Sequence, residues 1–212
     1  MIGVYVSVPV ACFRKGLARE YLETEALPPP ATCYGFLLSL VGETDRRSHI
    51  GCRVTPVLIA AQTGSVVLRT LWRQKVKSLG ATTNLRPDFQ QLLTQVQLII
   101  WLDSSDESRS PHLEDRVEQA LTQPATLQRF GGLSLGESSH LVDEVCLFKP
   151  QIADKWTSTK ARAFLLERQG RLSLPVWVDH VGTAGTRYAI GNLVETLASE
   201  PPEIAQMPVI SP

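Results

Sequence analysis

The chain has 212 residues, 43% of them hydrophobic, with 21 basic residues balanced by 21 acidic ones. That length can bury a substantial core, as one large domain or as one domain with a small appendage. The mean hydropathy is close to zero, and the longest apolar run, Val96 to Leu102, is far too short for a membrane-spanning helix.

The N-terminus begins as a strand, with no basic leader and no cleavage site, so a cytoplasmic product is expected. Gly3 to Phe13 is rich in β-branched residues and predicts an opening strand, with Arg14, Lys15 and Arg19 at its exit. Pro28-Pro29-Pro30 stiffens the approach to a short helix over Ala31 to Val41. Thr55 to Ala61 and Ser65 to Leu71 read as strands with a turn at Thr63-Gly64 between them. Gly80 to Asn84 reads as a polar, flexible tip. Gln95 to Leu102 is the most apolar strand, and Asp103 to Arg109 an acidic, Ser-rich loop. His112 to Leu121 has apolar residues at amphipathic helical spacing and is stopped by Pro124. The glycine-rich loop Gly131 to Gly136 follows, then a strand over Leu141 to Phe148.

This order is strand, helix, strand, excursion, strand, helix, strand. It predicts an α+β protein with the split βαβ arrangement of a ferredoxin-like, RNA-recognition-motif-like domain over residues 1–150. Arg162 to Arg171, Leu174 to Val181 and Arg187 to Leu193 predict a small β appendage within 151–199. Residues 200–212, with four prolines, read as a mobile tail.

Charge is distributed unevenly along this order. Arg46, Arg47, Arg53, Arg69, Arg73, Lys75, Lys77 and Arg86 lie between Arg46 and Pro87 without one Asp or Glu, leaving 13 basic against 21 acidic residues elsewhere. A neutral chain that gathers its cations into one segment presents them to a polyanion, unless they are merely a solvated face. Cations spaced two to four apart from Arg69 to Lys77 can track a phosphate backbone. Trp72 among them offers either a stacking face for a base or a core side chain. Gly131, Gly132 and Gly136 permit close approach of a phosphate, or make an ordinary turn.

Catalytic patterns are weak. Gly132-Leu-Ser134-Leu-Gly136 matches a nucleophile elbow, with Asp179-His180 downstream. That elbow needs a buried strand before the serine and a helix after it, and the flanking sequence supplies neither. Cys12, Cys33, Cys52 and Cys146 form no C-x-x-C pair and have no histidine at zinc spacing, so they read as reduced thiols. No metal or cofactor is expected.

Four features occur in one order: the strand leading to Phe13-Arg14, Pro29 to Gly35 with its Tyr34-Gly35 pair, the basic excursion ending Asn84-Leu-Arg86-Pro, and the loop Gly131 to Ser138. Over roughly residues 1 to 150 this resembles CRISPR-associated protein 5, a RAMP-superfamily subunit of type I Cascade interference complexes. The resemblance implies a ferredoxin-like domain with a β-hairpin thumb at about residues 64–94. It implies a protein that caps the 5′ handle of the guide RNA (crRNA) in antiviral defence, between backbone RAMP subunits and the large PAM-recognising subunit, and meets target DNA only indirectly. Arg14, Lys15 and Arg19 would border the handle. Arg69, Trp72, Arg73, Lys75, Lys77 and Arg86 would form the thumb, and Gly131, Gly132 and Gly136 would lie on RNA backbone. Some members cut precursor crRNA with a Tyr, a Lys and a neighbouring His. Here Tyr34 has no Lys-His pair, so the expectation is a non-catalytic subunit, with metal-independent endoribonuclease as the alternative and His140 as the partner to suspect.

Overall fold

Alternation along the first strand decides how the sheet is covered. Val4, Val6 and Val8 are fully buried on one face, while Tyr5 packs on the other with Ile99 and Trp101. A strand buried on both faces sits in the middle of a sheet, and each fully buried valine contributes roughly 1.5–3 kcal/mol of transfer free energy. The computed structural model describes residues 1–16, 21–60, 62–78 without 73–75, 80–149, 158–181 and 184–212, and of 70–72 the backbone but not the side chains. Arg19, Arg73, Lys75 and the side chain of Trp72 lie outside the described residues.

In chain order the elements are β1 (Ile2–Ala11), β2 (Tyr21–Leu22), α1 (Pro30–Leu40), β3 (Arg53–Leu58), β4 (Thr63–Trp72), β5 (Leu85–Asp103), α2 (Leu113–Thr122), β6 (Glu144–Leu147), β7 (Lys160–Leu166), β8 (Leu172–Trp177) and β9 (Arg187–Leu197). The strands form one sheet in the order β6-β1-β5-β3-β7-β9-β8, with β2 and β4 also paired to β5. The pairings are antiparallel apart from the two-residue match of β2 with β5. No helix among the described residues is long and apolar enough to cross a membrane.

Both helices contribute to the larger core. Leu113, Val117 and Ala120 of α2 recur at helical spacing and are buried there with most of α1. The loops beside α2 are fastened by buried charge. Arg116 Nη1 donates to Glu43 Oε2 at 2.7 Å and to His49 Nε2 at 2.8 Å. His49 therefore carries its proton on Nδ1 and donates it to the Glu107 carboxylate. Glu107 also accepts the Leu113 amide at 3.0 Å. The Asp45 backbone amide and the Arg116 guanidinium hold the Glu43 carboxyl down at about 2.

Three expectations are corrected. The apolar strand expected at Gln95 to Leu102 is the end of a 19-residue strand. Its polar first half escapes an apolar reading because only its second half is inside the sheet core. Thr63 and Gly64 do not form a turn; they open β4, opposite Thr94 and Leu93. The third correction is the C-terminal tail, which is held in place. The Gly51 amide donates to Ile210 O at 3.0 Å, the Ile210 amide to Cys52 O at 2.8 Å, and the Val54 amide to Pro208 O at 3.0 Å. These bonds cover the start of β3, whose pairing with β7 is confined to Val57 and Leu58, opposite Ala163 and Arg162. Three residues apart on extended chain, Met207 and Ile210 enter opposite cores, both fully buried. The four prolines hid this because a few well-placed apolar side chains anchor a segment that composition marks as loose.

Ile210→Ala should therefore cost about 2–5 kcal/mol in urea unfolding, the penalty of a core cavity. A change below about 0.5 kcal/mol, the range of ordinary surface substitutions, would mean that the tail does not pack in solution.

Candidate nucleic-acid interface

Where β1 ends, its polar exit is held by short backbone ladders. Phe13 donates its amide to Thr24 Oγ1 at 2.8 Å, Lys15 donates its amide to Glu23 O at 3.0 Å, and Arg14 forms a bridge with Thr24. Thr24 is tied onward to the long hairpin through its amide and Gln91 Oε1 at 3.1 Å. Arg14 is exposed. Lys15 is partly exposed, with Nζ 3.8 Å from the Glu23 carboxylate.

The glycine-rich loop docks on this exit. Gly136 has φ +100°, and a Cβ there would lie 2.7 Å from the Cys12 carbonyl oxygen. Only glycine allows that approach. His140 then locks the contact: its Nδ1 accepts the Cys12 amide at 3.2 Å and the Glu137 amide at 3.3 Å. Burial, opposed by Glu137 and reinforced by Arg69, pushes the imidazole below its ordinary value. It is a neutral structural acceptor. The other two glycines do not share this contact. Gly131, at φ +73°, has open space around it, and Gly132 lies against Leu141.

The β4–β5 hairpin reaches the same place. Its register runs from Thr63–Thr94 to Trp72–Leu85. On β4, Arg69 donates from Nη1 to Gln90 Oε1 and lies 3.3 Å from Glu137 Oε2. Gln90 Nε2 donates to Glu137 Oε1 at 2.9 Å, closing a three-residue ring between hairpin and loop. The Arg69 side chain remains 40% exposed, enough to meet a ligand while held by two partners. Further out, Arg86 Nε lies 3.6 Å from the buried Asp88 carboxylate, and Lys77 is exposed near the tip. The tip is more ordered than its composition implied. Asn84 is fully buried, its amide bonding the main chain of Val76 at 3.0 and 3.2 Å and that of Ser78 at 3.2 Å.

The structure thus gathers Arg14, Lys15, Arg69 and Gly136 around one junction, and leaves Lys77 and Arg86 along the hairpin. The pairing of Gln90 with Glu137, which builds the junction, was not legible in the sequence: they lie 47 residues apart, and although Glu137 stands in the glycine-rich loop, no spacing links it to Gln90.

Beside the junction, across the glycine-rich loop, lies a cavity of about 400 Å³ bordered by α1, Ser134 and Gly136, and the end of β8. Arg46 stands over the Trp177 ring, 4.1 Å from its centroid. Tyr34 and His180 also line it. The Tyr34 hydroxyl donates to the Arg46 carbonyl at 2.8 Å, and burial pushes its pKa well up. The histidine sharing a cavity with Tyr34 is therefore His180; His140 is engaged at the junction. The nucleophile-elbow match has no elbow geometry: Ser134 sits in an isolated bridge with Leu141, and the Asp179 carboxylate accepts the amides of Val181 and Gly185 at 2.9 and 3.0 Å. Among the described residues, no group of three His, Cys, Asp or Glu is arranged to hold a metal ion.

No family model matches the chain. The CRISPR-associated protein Cas5 of Myxococcus xanthus (strain DK1622) is 52% identical over 213 residues, spanning 99% of this chain and 97% of that protein. A chain of a CRISPR RNA-guided surveillance complex superposes with a TM-score of 0.63 at 12% identity, over 92% of this chain and 90% of that one. A crystal structure of a Cas protein gives 0.52 at 12% identity, over 93% and 94%. The structural likenesses carry the fold, a mixed α/β protein with a large antiparallel sheet and two helices. Identity along nearly the whole length carries the family: the chain belongs to the CRISPR-associated Cas5 family.

Proposed function

We propose that this Cas5 protein is a non-catalytic crRNA-binding subunit of a type I Cascade complex. It caps the 5′ handle of the guide and contacts backbone RAMP subunits and the large PAM-recognising subunit. The observation that carries this reading is the junction where Arg69, Gln90 and Glu137 bind the hairpin to the glycine-rich loop beside Arg14 and Lys15. Cations held by protein partners, yet partly exposed, make a preformed phosphate track, and an open glycine such as Gly131 lets a strand approach the backbone. The sheet order β6-β1-β5-β3, with one helix after β1 and one after β5, supports a ferredoxin-like core with the β4–β5 hairpin as its thumb. The fold likeness to a chain of a CRISPR RNA-guided surveillance complex supports assembly with other subunits.

Binding is electrostatic first. With about five cations meeting phosphates, log K against log salt should fall with a slope near −3.5 for single-stranded RNA. A slope near zero would remove the polyanion reading.

Gly136→Ala should cost about 1–3 kcal/mol, because it places a side chain at positive φ against the Cys12 carbonyl. RNA affinity should fall with it, since the loop must back away from β1. Unchanged melting and unchanged affinity together would show that the loop does not depend on this contact.

No cleavage is expected. Metal-independent cutting needs a base for the 2′-hydroxyl, and the Tyr34 hydroxyl is a buried donor with its pKa raised by burial. Long incubation of purified protein with repeat RNA in EDTA should leave the RNA intact. Site-specific product from the wild type, lost in both Tyr34→Phe and His180→Ala, would establish the endoribonuclease instead.

A further inference from the structure

Gly35 is anomalous within α1. A glycine inside an α-helix costs stability relative to alanine, so its presence calls for a steric reason. The fold provides none: a Cβ at this position would meet no atom within 4 Å. The empty space belongs to the cavity between α1, the glycine-rich loop and the end of β8. Resting on the RNA-binding reading above, we propose that this cavity receives one unstacked base of the bound RNA, laid against the plane of Arg46.

The volume, about 400 Å³, falls in the roughly 300–1,000 Å³ range of small-ligand sites. Trp177, 5% exposed, also lines the cavity, with the Arg46 guanidinium over its ring at 4.1 Å. Arg47 stands within 5.9 Å of the same ring. An arginine plane backed by an indole is a surface on which a splayed nucleobase stacks. It is also prepared in advance, because the Tyr34 hydroxyl donates to the Arg46 carbonyl and fixes the main chain. The hydroxyls of Ser39 and Ser134 and the His180 ring border the space and supply donors and acceptors for a base edge. Between Val178 and His180 of the lining, Asp179 accepts the amides of Val181 and Gly185 and holds the corner after β8.

Position favours RNA over a protein side chain. Gly136 lines this cavity and also makes the contact with Cys12 at the junction. A strand lying on the glycine-rich loop therefore passes the cavity mouth, and one rotated nucleotide reaches Arg46. Arg46 in the lining, with Arg47 near the same indole ring, suits a phosphodiester better than an apolar protein knob.

The test combines a filled cavity with a missing base. The full-length protein is titrated with crRNA from its own locus, intact or carrying a single abasic site moved along the 5′ segment. For the wild type, one position should lower affinity by roughly tenfold, within the range for a stacked base. Gly35→Leu, which extends into the cavity, should weaken intact RNA by a similar factor and show no further loss at that abasic position. Its melting temperature should not fall, and Arg46→Ala, a change at another lining residue, should show the same non-additivity if the leucine variant folds poorly. A flat abasic scan with normal affinity and salt slope would overturn the base pocket while leaving RNA binding intact. Additive losses in both variants would overturn it too. If Gly35→Leu binds RNA normally but no longer assembles with the other subunits of its complex, the occupant is a protein side chain and the proposal falls. Absence of any RNA binding by the wild type would instead remove the underlying function, and would be recognised by the missing salt slope.

Discussion

One strand carries the mechanical continuity of this protein. β5 pairs with β1 and β3 along its apolar half, the β1 pairing reaching on to Leu93, and with β4 and β2 along its polar half. Between the halves, Gln95 adopts φ +58°, a conformation rare outside glycine and small polar residues, and the register with β1 skips one position there. Leu98, Ile100 and Leu102 face the helices while Ile99 and Trp101 face the second core, so the inner half is fixed from both sides. The hairpin is therefore an extension of the most deeply buried strand, not a loop attached to the surface. A hairpin alone is marginal in water. This one is anchored through its own backbone in the centre of the sheet.

Polar contacts then set where the hairpin base stands relative to the rest. Arg69, Gln90 and Glu137 satisfy one another across elements far apart in sequence, and His140 closes the neighbouring gap between Cys12 and Glu137. Networks of this kind add little net stability when they are partly exposed, and their importance is geometric. The His49–Glu107–Arg116–Glu43 group does comparable work beside α2, with His49 and Glu107 fully withdrawn from water. Burial alone would raise the Glu107 carboxyl, but the bonds from His49 and the Leu113 amide outweigh it and keep it charged. Removing one member would strand an uncompensated charge, which makes such a group a strict constraint on loop position.

Polar side chains around α1 are committed in the same way. Tyr34 and His140 are the residues a sequence reader would nominate for acid–base work, and both are engaged in holding the main chain: Tyr34 at Arg46, His140 at Cys12 and Glu137. What α1 and the glycine-rich loop leave open between them is a shaped recess bordered by Arg46 and Trp177, a surface suited to recognition.

Local properties of the chain were legible in its sequence. The β-branched run at the N-terminus, the amphipathic spacing of Leu113, Val117 and Ala120, and the gathering of cations between Arg46 and Pro87 depend only on neighbours along the chain. So does the order of motifs that marks the Cas5 family. Other features depended on residues that meet only after folding. The polar half of β5 has no apolar signature because its stability comes from pairing with β4. The tail holds through Met207 and Ile210, whose partners lie about 150 residues away beside β3. Gln90 and Glu137 acquire a role only when the hairpin meets the glycine-rich loop, and Arg46 becomes a stacking plane only because β8 brings Trp177 beneath it. Periodicity and composition record what a segment can bury; which polar side chains meet is decided by three-dimensional packing, and the proposed interface is made of those meetings.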